Sequence, residues 1–470
     1  MDGTETAMSY EEAVAFLDTL TNYERVPKPQ EMRAVRLDRM RRLCRLLGDP
    51  QRSFRSVLVT GTNGKGSICA MVYSMLRESR LRAGLYTSPH LEQVRERIRV
   101  WSDGPSETDR VHGDDWISQE EFAAVVDRLR PALETLCRET PEQPPTYFEA
   151  MTAAAFLHFR QRQVEVAVLE VGLGGRLDAT NVVDEAVAVI GPIDVDHAEV
   201  LGDEPGLIAK EKAGIIKPGC SVITATQREQ VMPALLSACE AQGAPLFICG
   251  QDLTASVQRH ALDGLAVSIT GFRGIYPSLR IPLIGRHQAQ NAAIAVGALE
   301  LLADTGIPHR LVERGLARVD WPGRIEVVSE APRIIMDGAH NPHAAAALFE
   351  TLAEFCQGRA VHLLIGMSSD KSAESLGRLL GGLCVSATCT QSRHSRALDP
   401  VELARRLTPF CPDVHVMSDP VDAYTYLLNA VSPDDVIVVT GSLFLVGELR
   451  AALRQAHVRS RRPAEPQFVG

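Results

Sequence analysis

Residues 60–67 read T-G-T-N-G-K-G-S and have the residue types of a phosphate-binding loop. The apolar run 57–59 before them predicts a strand, and the stretch from about 66 to 78 predicts a helix. Glycines let backbone N–H groups point at phosphate oxygens, the helix N-terminus adds positive potential, and Lys65 can reach the β- and γ-phosphates. The sequence therefore predicts a nucleotide site formed by Thr62, Asn63, Gly64, Lys65, Gly66 and Ser67.

The loop departs from the usual G-x-x-x-x-G-K-[ST] pattern at two positions. Val59 stands where the first glycine is expected, and Gly66 follows Lys65 where a serine or threonine is usual. A plain strand-to-helix turn is the alternative interpretation. Three glycines and a lysine are costly for a simple change of direction, so nucleotide binding is favoured.

Three polar residues, Ser88, Glu170 and His197, lie at or just after predicted strand ends. Parallel sheets place ligands at that edge, and a bound nucleoside triphosphate needs Mg²⁺ with oxygen-rich or mixed ligands. These residues are therefore candidate metal ligands. The alternatives are a turn hydroxyl for Ser88 and a hydrogen-bonded loop histidine for His197.

Charge and hydropathy exclude several classes of protein. The 470 residues include 49 Lys and Arg against 59 Asp and Glu, a formal net charge of −10. This balance argues against a general nucleic-acid or anionic-membrane binder. No apolar run approaches the ~18 residues that cross a bilayer, and the first residues are acidic, unlike a secretory signal. We therefore expect a cytoplasmic protein, with its ten scattered cysteines as reduced core thiols.

Short apolar runs alternate with amphipathic stretches along the chain, which is typical of an α/β protein with a mostly parallel sheet. Capping-box spacing at Ser118 and at Thr146 predicts two helix starts, and residues 95–117 are interpreted as a surface excursion. A Pro-Gly pair predicts a linker at 320–323 between domains 1–319 and 324–470. Strands are also predicted at 83–86, 164–169, 186–190, 221–224, 246–249, 333–336, 361–365, 385–390, 414–417 and 436–439, and a helix at 287–303.

Nine motifs together resemble the folylpolyglutamate synthase/dihydrofolate synthase family of the Mur ligase superfamily. They run through nearly the whole chain and are highly specific in this order: GTNGKGS (61–67), LYTSPHL (85–91), TYFEAMTA (146–153), LEVGLGGRLDATN (169–181), DHAEVLG (196–202), EKAGIIKPG (211–219), GRHQAQNA (285–292), PGRIE (322–326) and DGAHNP (337–342). The resemblance implies a P-loop domain for ATP and pterin, followed by a smaller Rossmann-like α/β domain for glutamate ligation.

The resemblance also implies a metal centre and a modified lysine. Ser88 and Glu170 would hold one Mg²⁺ ion, and His197 would lie near a second. Lys212 would by default be a solvated helix lysine, whereas in relatives the lysine of this motif is carbamylated and helps organise the metal site.

Pterin binding is implied for two segments, Thr146, Tyr147, Phe148 and Glu149 in the first and Leu177, Asp178 and Ala179 in the second. Aromatic faces can stack on the bicyclic ring and a carboxylate can accept its N–H groups. The alternative is that Thr146 and Glu149 only cap a helix while Phe148 fills the core, and both can hold together.

The resemblance further implies that ATP contacts Asn291, Arg324 and Asp337. His340 and Ser442 are weaker candidates for binding glutamate. Together with Lys65 and Lys212, His340 is also a candidate catalytic residue. A linker salt bridge is the alternative for Arg324.

The reaction that follows is ATP-dependent amide ligation of L-glutamate to dihydropteroate or reduced folates through an acyl phosphate. Its partners are small molecules, with no nucleic acid or membrane, and we expect a monomer. Three alternatives stay open: polyglutamylation alone, another Mur-type amino-acid ligase, and a catalytically silent nucleotide-binding regulator.

Overall fold

The computed structural model describes residues 7–26, 31, 37–102, 113–196, 198–302 and 308–461. Contacts between Cα atoms divide the chain into two compact units, Met1–Trp321 and Pro322–Gly470. Each unit contains its own mixed sheet, and the α/β class expected from the sequence is confirmed.

The first unit has a seven-stranded sheet with the order β3-β2-β4-β1-β5-β6-β7. Every pairing is parallel except that of β3 with β2. A separate antiparallel sheet has the order β10-β9-β8. The strands are β1 Arg55–Thr60, β2 Ala83–Tyr86, β3 Ile98–Trp101, β4 Val166–Glu170, β5 Val187–Ile190, β6 Ser221–Thr224, β7 Leu246–Ile248, β8 Thr254–Ala261, β9 Gly264–Thr270 and β10 Ile275–Ile281.

Helices cover both faces of the large sheet. Side chains along β1 alternate between two buried clusters, with Leu58 in one and Val57 and Val59 in the other. The described helices of this unit are α1 Tyr10–Asp18, α2 Leu37–Leu46, α3 Lys65–Arg77, α4 Gln119–Glu139, α5 Tyr147–Gln161, α6 Ala198–Leu201, α7 Pro205–Ala213, α8 Met232–Gln242, α9 His287–Leu302 and α10 His309–Ala317.

The second unit has a six-stranded sheet with the order β11-β12-β16-β13-β14-β15. Only β11 is antiparallel to its neighbour. Its strands are β11 Glu326–Glu330, β12 Arg333–Met336, β13 Val361–Ile365, β14 Ser386–Cys389, β15 Val414–Val416 and β16 Val436–Thr440, and its helices are α11 Pro342–Phe355, α12 Ala373–Leu380, α13 Pro400–Leu407, α14 Pro420–Ala430 and α15 Leu443–Arg461.

One local prediction is wrong. Residues 95–117 were expected to form a surface excursion, but within them β3 is a buried strand at the edge of the large sheet. The arginine in this strand made the segment look exposed in the sequence. In the structure Arg99 is buried, and its guanidinium lies 5.9 Å from the Trp116 ring. Residues 103–112 of that segment lie outside the described part of the chain.

All ten cysteines have free thiols, and every one except Cys137 is buried. Burial raises the pKa of the buried thiols, to about 12 for Cys44 and Cys389. Of the helices in the described ranges, none has the length and apolar character needed to cross a membrane.

Glu300 attaches the small antiparallel sheet to α9. Its buried carboxylate accepts hydrogen bonds from the Phe272 amide at 2.6 Å and the Tyr276 hydroxyl at 2.8 Å. We expect Glu300→Ala to lower the opening free energy of residues 264–281 by about 2–3 kcal/mol, because buried donors lose their acceptor. Tyr276→Phe, which removes one hydrogen bond, should cost about 1 kcal/mol. Hydrogen exchange measures both, and equal protection in Glu300→Ala and the unchanged protein would contradict this role.

Candidate functional site

The predicted phosphate loop connects β1 to α3. Gly64 caps the helix with a φ of +79°, a conformation that favours glycine, and Lys65 is the first helical residue. A Cβ atom on Gly64 would lie 2.7 Å from Oδ1 of Asn291 on α9. The structure therefore brings Asn291, predicted to contact ATP, directly against the loop.

Side chains and backbone from neighbouring segments fix the shape of the loop. The Thr62 amide donates to the Pro192 carbonyl at 2.8 Å, and the Thr62 hydroxyl donates to the Asp194 carbonyl at 2.8 Å. On the other side, Nε2 of Gln288 lies 3.5 Å from Oγ of Ser67. The loop is thus held by the segment after β5 and by α9.

Two lysines converge on one carbonyl oxygen of the loop. Nζ of Lys65 donates to the Gly61 carbonyl at 3.0 Å, and Nζ of Lys212 donates to the same oxygen at 2.8 Å. Burial and then the neighbouring charge of Lys65 lower the pKa of Lys212 well below its ordinary value. Asp196 and Asp178 oppose the shift. Lys212 is therefore a buried lysine beside the phosphate loop, so the default interpretation of a solvated helix lysine is wrong.

Glu170 and Ser88 follow adjacent strands. Tyr86 of β2 is paired with Leu169 of β4, and the Ser88 amide donates to Oε2 of Glu170 at 3.1 Å. In the same sheet Glu170 is paired with Val59, one residue before the end of β1. The buried Glu170 carboxylate and the backbone of Ser88 are therefore next to each other at the edge of the sheet that carries the phosphate loop.

These oxygen donors fit Mg²⁺, which is commonly held by one or two side chains while substrate phosphates and water complete its coordination. Across the described residues, no group of three or more His, Cys, Asp and Glu side chains could hold an ion. His197, the third predicted ligand, lies outside the described residues. The donor set is thus suited to an ion that arrives with a nucleotide rather than to an all-protein cage.

The first predicted pterin segment begins α5. Thr146 and Glu149 form a reciprocal capping box, and Glu149 also forms an ion pair with Arg39 at 2.7 Å. The Glu149 carboxylate therefore has a structural partner on each side, as the capping alternative anticipated. Phe148 is only half-buried and lies on Gly172, where a Cβ atom would come 2.6 Å from its ring.

The second predicted pterin segment surrounds Asp178, which precedes a short helical turn at Ala179–Val182. Its buried carboxylate accepts hydrogen bonds from the Leu173 amide at 3.0 Å and the Thr180 hydroxyl at 2.6 Å. Burial raises the pKa of Asp178, against these hydrogen bonds. Asp178 shapes this loop, while its neighbour Leu177 is half-buried.

A buried arginine that the sequence analysis missed lies beside these segments. Arg97 is paired with Glu24 at 2.6 Å, donates from Nε to Nδ1 of His90 at 2.9 Å, and lies 5.6 Å from the Tyr147 ring centroid. Its glutamate partner is 73 residues away in sequence, so spacing gave no signal. The available signal was the pair of β-branched residues Ile98 and Val100 on either side of Arg99, which favours a strand in a segment interpreted as surface.

Three predicted residues of the second unit meet at the carboxyl ends of the adjacent strands β12 and β16. The buried Asp337 carboxylate accepts hydrogen bonds from the Ile325 amide at 2.9 Å and the Ala339 amide at 2.8 Å. Burial raises the pKa of Asp337, and Arg324 opposes that shift. Nδ1 of His340 lies 2.8 Å from the Gly338 carbonyl, and the Ser442 hydroxyl accepts from the Phe444 amide at 3.2 Å. Asp337 thus orders the start of this unit.

Comparison with known families matches both units. The Mur ligase middle domain matches residues 119–299, and the Mur ligase, glutamate ligase domain matches residues 323–443. The dihydrofolate synthase/folylpolyglutamate synthase of Bacillus subtilis (strain 168) is 34% identical over 427 residues, spanning 89% of this chain and 95% of the relative.

Solved structures match over similar lengths. Mycobacterium tuberculosis folylpolyglutamate synthase complexed with ADP and AMPPCP has a TM-score of 0.85 and 32% identity, covering 94% of this chain and 98% of the other. Escherichia coli FolC in complex with DHPP and ADP has a TM-score of 0.82 and 28% identity, covering 96% and 99%.

The fold, the phosphate loop and these matches define an ATP-dependent ligase of the Mur type. Within that class, the chain belongs to the dihydrofolate synthase/folylpolyglutamate synthase family. The resemblance stated from the motifs is therefore confirmed, and a Mur ligase of another branch is not favoured.

Gly64→Ala tests the loop geometry. It introduces a Cβ atom at positive φ and places it against Asn291, so we expect nucleotide affinity to fall at least about tenfold, measured by calorimetric titration of ADP. Gly219→Ala is the matched control, because Gly219 has a similar φ of +83° but nothing within 4 Å of the added atom. Equal affinity in both variants would contradict the proposed crowding at Gly64.

Proposed function

We propose that this protein joins L-glutamate both to dihydropteroate and to reduced folates, using ATP. The observation that carries the proposal is the convergence of Lys65 and Lys212 on the Gly61 carbonyl, next to the Ser88–Glu170 pair. The Lys65 cation, with a buried carboxylate at the same sheet edge, is suited to binding a triphosphate together with a divalent ion. The curated relative from Bacillus subtilis, which carries both activity names, supports the two reactions.

In the first step an oxygen of the substrate carboxylate attacks the γ-phosphorus of ATP. The bond from that phosphorus to the bridging oxygen breaks, which gives an acyl phosphate and ADP. Lys65 stabilises the charge on the phosphate oxygens, and the loop amides orient the triphosphate. Mg²⁺, held by Ser88 and Glu170, would neutralise phosphate charge.

In the second step the amine of L-glutamate attacks the acyl carbon. A C–N bond forms, the C–O bond to phosphate breaks, and the amine loses a proton. No side-chain nucleophile is required, because the acyl phosphate already supplies a good leaving group. His340 and Ser442, which lie at one edge of the second unit's sheet, are the residues we assign to glutamate.

Lys212 is proposed to act as a carbamate. Its lowered pKa supports this, because only the neutral amine can attack CO₂ to form the new C–N bond with loss of a proton. The product is an anion beside Lys65, so the two groups attract each other where two ammonium groups would repel.

Pterin binding is assigned to the half-buried Phe148, whose exposed face can stack on the flat ring. Glu149 and Asp178 are assigned mainly to supporting this surface, since Arg39, Thr146, Leu173 and Thr180 already contact their carboxylates. The remaining segment residues, Tyr147, Leu177 and Ala179, would complete the pocket. The DHPP complex of the Escherichia coli relative supports a pterin-type substrate.

ATP contact is assigned to Asn291 in the first unit and to Arg324 and Asp337 in the second. Asn291 has the strongest support, because its amide lies against Gly64 of the loop. Asp337 would act through the backbone that it holds, since both of its oxygens accept amide hydrogen bonds.

The decisive assay offers ATP and L-glutamate with dihydropteroate or, separately, with a reduced folate, and identifies products by mass. We expect ligation with both acceptors, whereas ligation of folates alone would leave a polyglutamylation enzyme.

The Lys65→Ala variant should still bind dihydropteroate, but its rate of phosphoryl transfer should fall by at least about a hundredfold, because the γ-phosphate loses its cation. The exposed Lys210 supplies the control variant Lys210→Ala, which should keep full activity. Near-normal turnover by Lys65→Ala would contradict its role, and no product from the unchanged protein would refute the function.

Carbamylation makes a separate prediction. Lys212→Ala should lose ligase activity, and a short carboxylate such as acetate should restore part of it by replacing the missing carbamate. Steady-state rates with and without acetate measure the rescue, with Lys210→Ala again as the control. Full activity of Lys212→Ala without any carboxylate would contradict the carbamate.

A further inference from the structure

Gly66 is the residue at which the phosphate loop departs from the common pattern. In that pattern the residue after the lysine is a serine or threonine whose hydroxyl reaches the nucleotide's Mg²⁺. Here the position has no side chain, although it is the second residue of α3 and needs no unusual backbone conformation. The reason for a glycine at position 66 must therefore lie in the neighbouring side chains rather than in the backbone conformation.

The indole of Trp321 takes the space of the missing side chain. A Cβ atom on Gly66 would lie 2.8 Å from Cζ2 and 3.0 Å from Nε1 of Trp321. Real Cβ atoms do not approach aromatic carbons this closely, so a serine at 66 and the indole exclude each other. Gly66 is consequently required for the ring of Trp321 to reach the phosphate loop.

The indole presents a hydrogen-bond donor at this position. Nε1 of Trp321 is buried, and no acceptor within the described ranges hydrogen-bonds to it. The Arg99 guanidinium lies 5.3 Å from the Trp321 ring and 5.9 Å from the Trp116 ring, so a cation stands beside the indole. A buried N–H next to positive charge is suited to an anionic acceptor.

We propose that Trp321 contacts the bound nucleotide, with its indole N–H donating to a phosphate oxygen at the position that other phosphate loops give to a hydroxyl. This inference rests on the proposed ATP-dependent function. The indole N–H cannot ligate a metal. Where the hydroxyl of other loops contacts the Mg²⁺ ion, the indole of Trp321 would therefore contact the phosphate instead. Trp321 is thereby a nucleotide-binding residue that the phosphate-loop pattern does not predict.

The test compares Trp321→Phe with Trp116→Phe. Trp321→Phe keeps an aromatic ring beside Gly66 and removes the N–H, whereas Trp116→Phe makes the same chemical change in the other indole near Arg99. Titration with ADP and AMPPCP should show about tenfold weaker binding for Trp321→Phe, the effect of one lost hydrogen bond to a charged group. Trp116→Phe should bind within about twofold of the unchanged protein, and dihydropteroate affinity should be the same in all three.

Substitution of Gly66 gives a second, independent measurement. Gly66→Ala should weaken ADP binding strongly in the unchanged background, because the methyl group displaces the indole. In a Trp321→Ala background the same substitution should change ADP affinity by less than about twofold, since the space is then open. This comparison remains informative even if Trp321→Phe is poorly folded.

The outcomes separate the inference from the function on which it depends. If the unchanged protein binds neither ADP nor AMPPCP, the proposed function itself fails. If it binds them and Trp321→Phe binds equally tightly, the indole contact is refuted while the function stands. An equal effect of Gly66→Ala on ADP affinity in the unchanged protein and in Trp321→Ala would also refute the indole contact.

Discussion

The structure of the site depends on a single backbone oxygen, the Gly61 carbonyl, which accepts hydrogen bonds from two lysines. Two ammonium groups that share an acceptor repel each other, and burial of Lys212 makes that repulsion stronger. Loss of the proton from Lys212, whose pKa is lowered, or the binding of anions relieves this repulsion. Both outcomes agree with the proposed ligase reaction, because a neutral Lys212 can be carbamylated and a cationic loop binds the phosphates of ATP.

The fold concentrates these groups by placing the ends of parallel strands at one edge. β1, β2 and β4 are neighbours, so the loop and the Ser88–Glu170 pair come together without any long side chain. Charges that lie inside the unit are compensated by partners, as Arg97 is by Glu24 and Arg77 is by Asp115. Ion pairs of this kind keep the buried charges away from the phosphate loop balanced.

Sequence patterns were sufficient for the class, for the Mur-type family and for elements whose signals are local. The strands at 83–86, 221–224, 333–336 and 361–365 have the predicted bounds, and both capping boxes are present. The small sheet β8–β10 was missed, because β8 and β10 are half-exposed and are interrupted by register shifts that obscure the alternation of side chains. Contacts between distant residues, such as Arg39 with Glu149 and Trp321 with Gly66, leave no trace in local spacing.

The burial of nine of the ten cysteines has a practical chemical consequence. A thiol reacts as its thiolate, and a raised pKa together with burial makes that form scarce at neutral pH. Cys137, half-buried near the end of α4, is the exception. Towards alkylating reagents and mild oxidants the native chain therefore behaves as a protein with one thiol, and general reactivity of the other nine reports that the cores have opened.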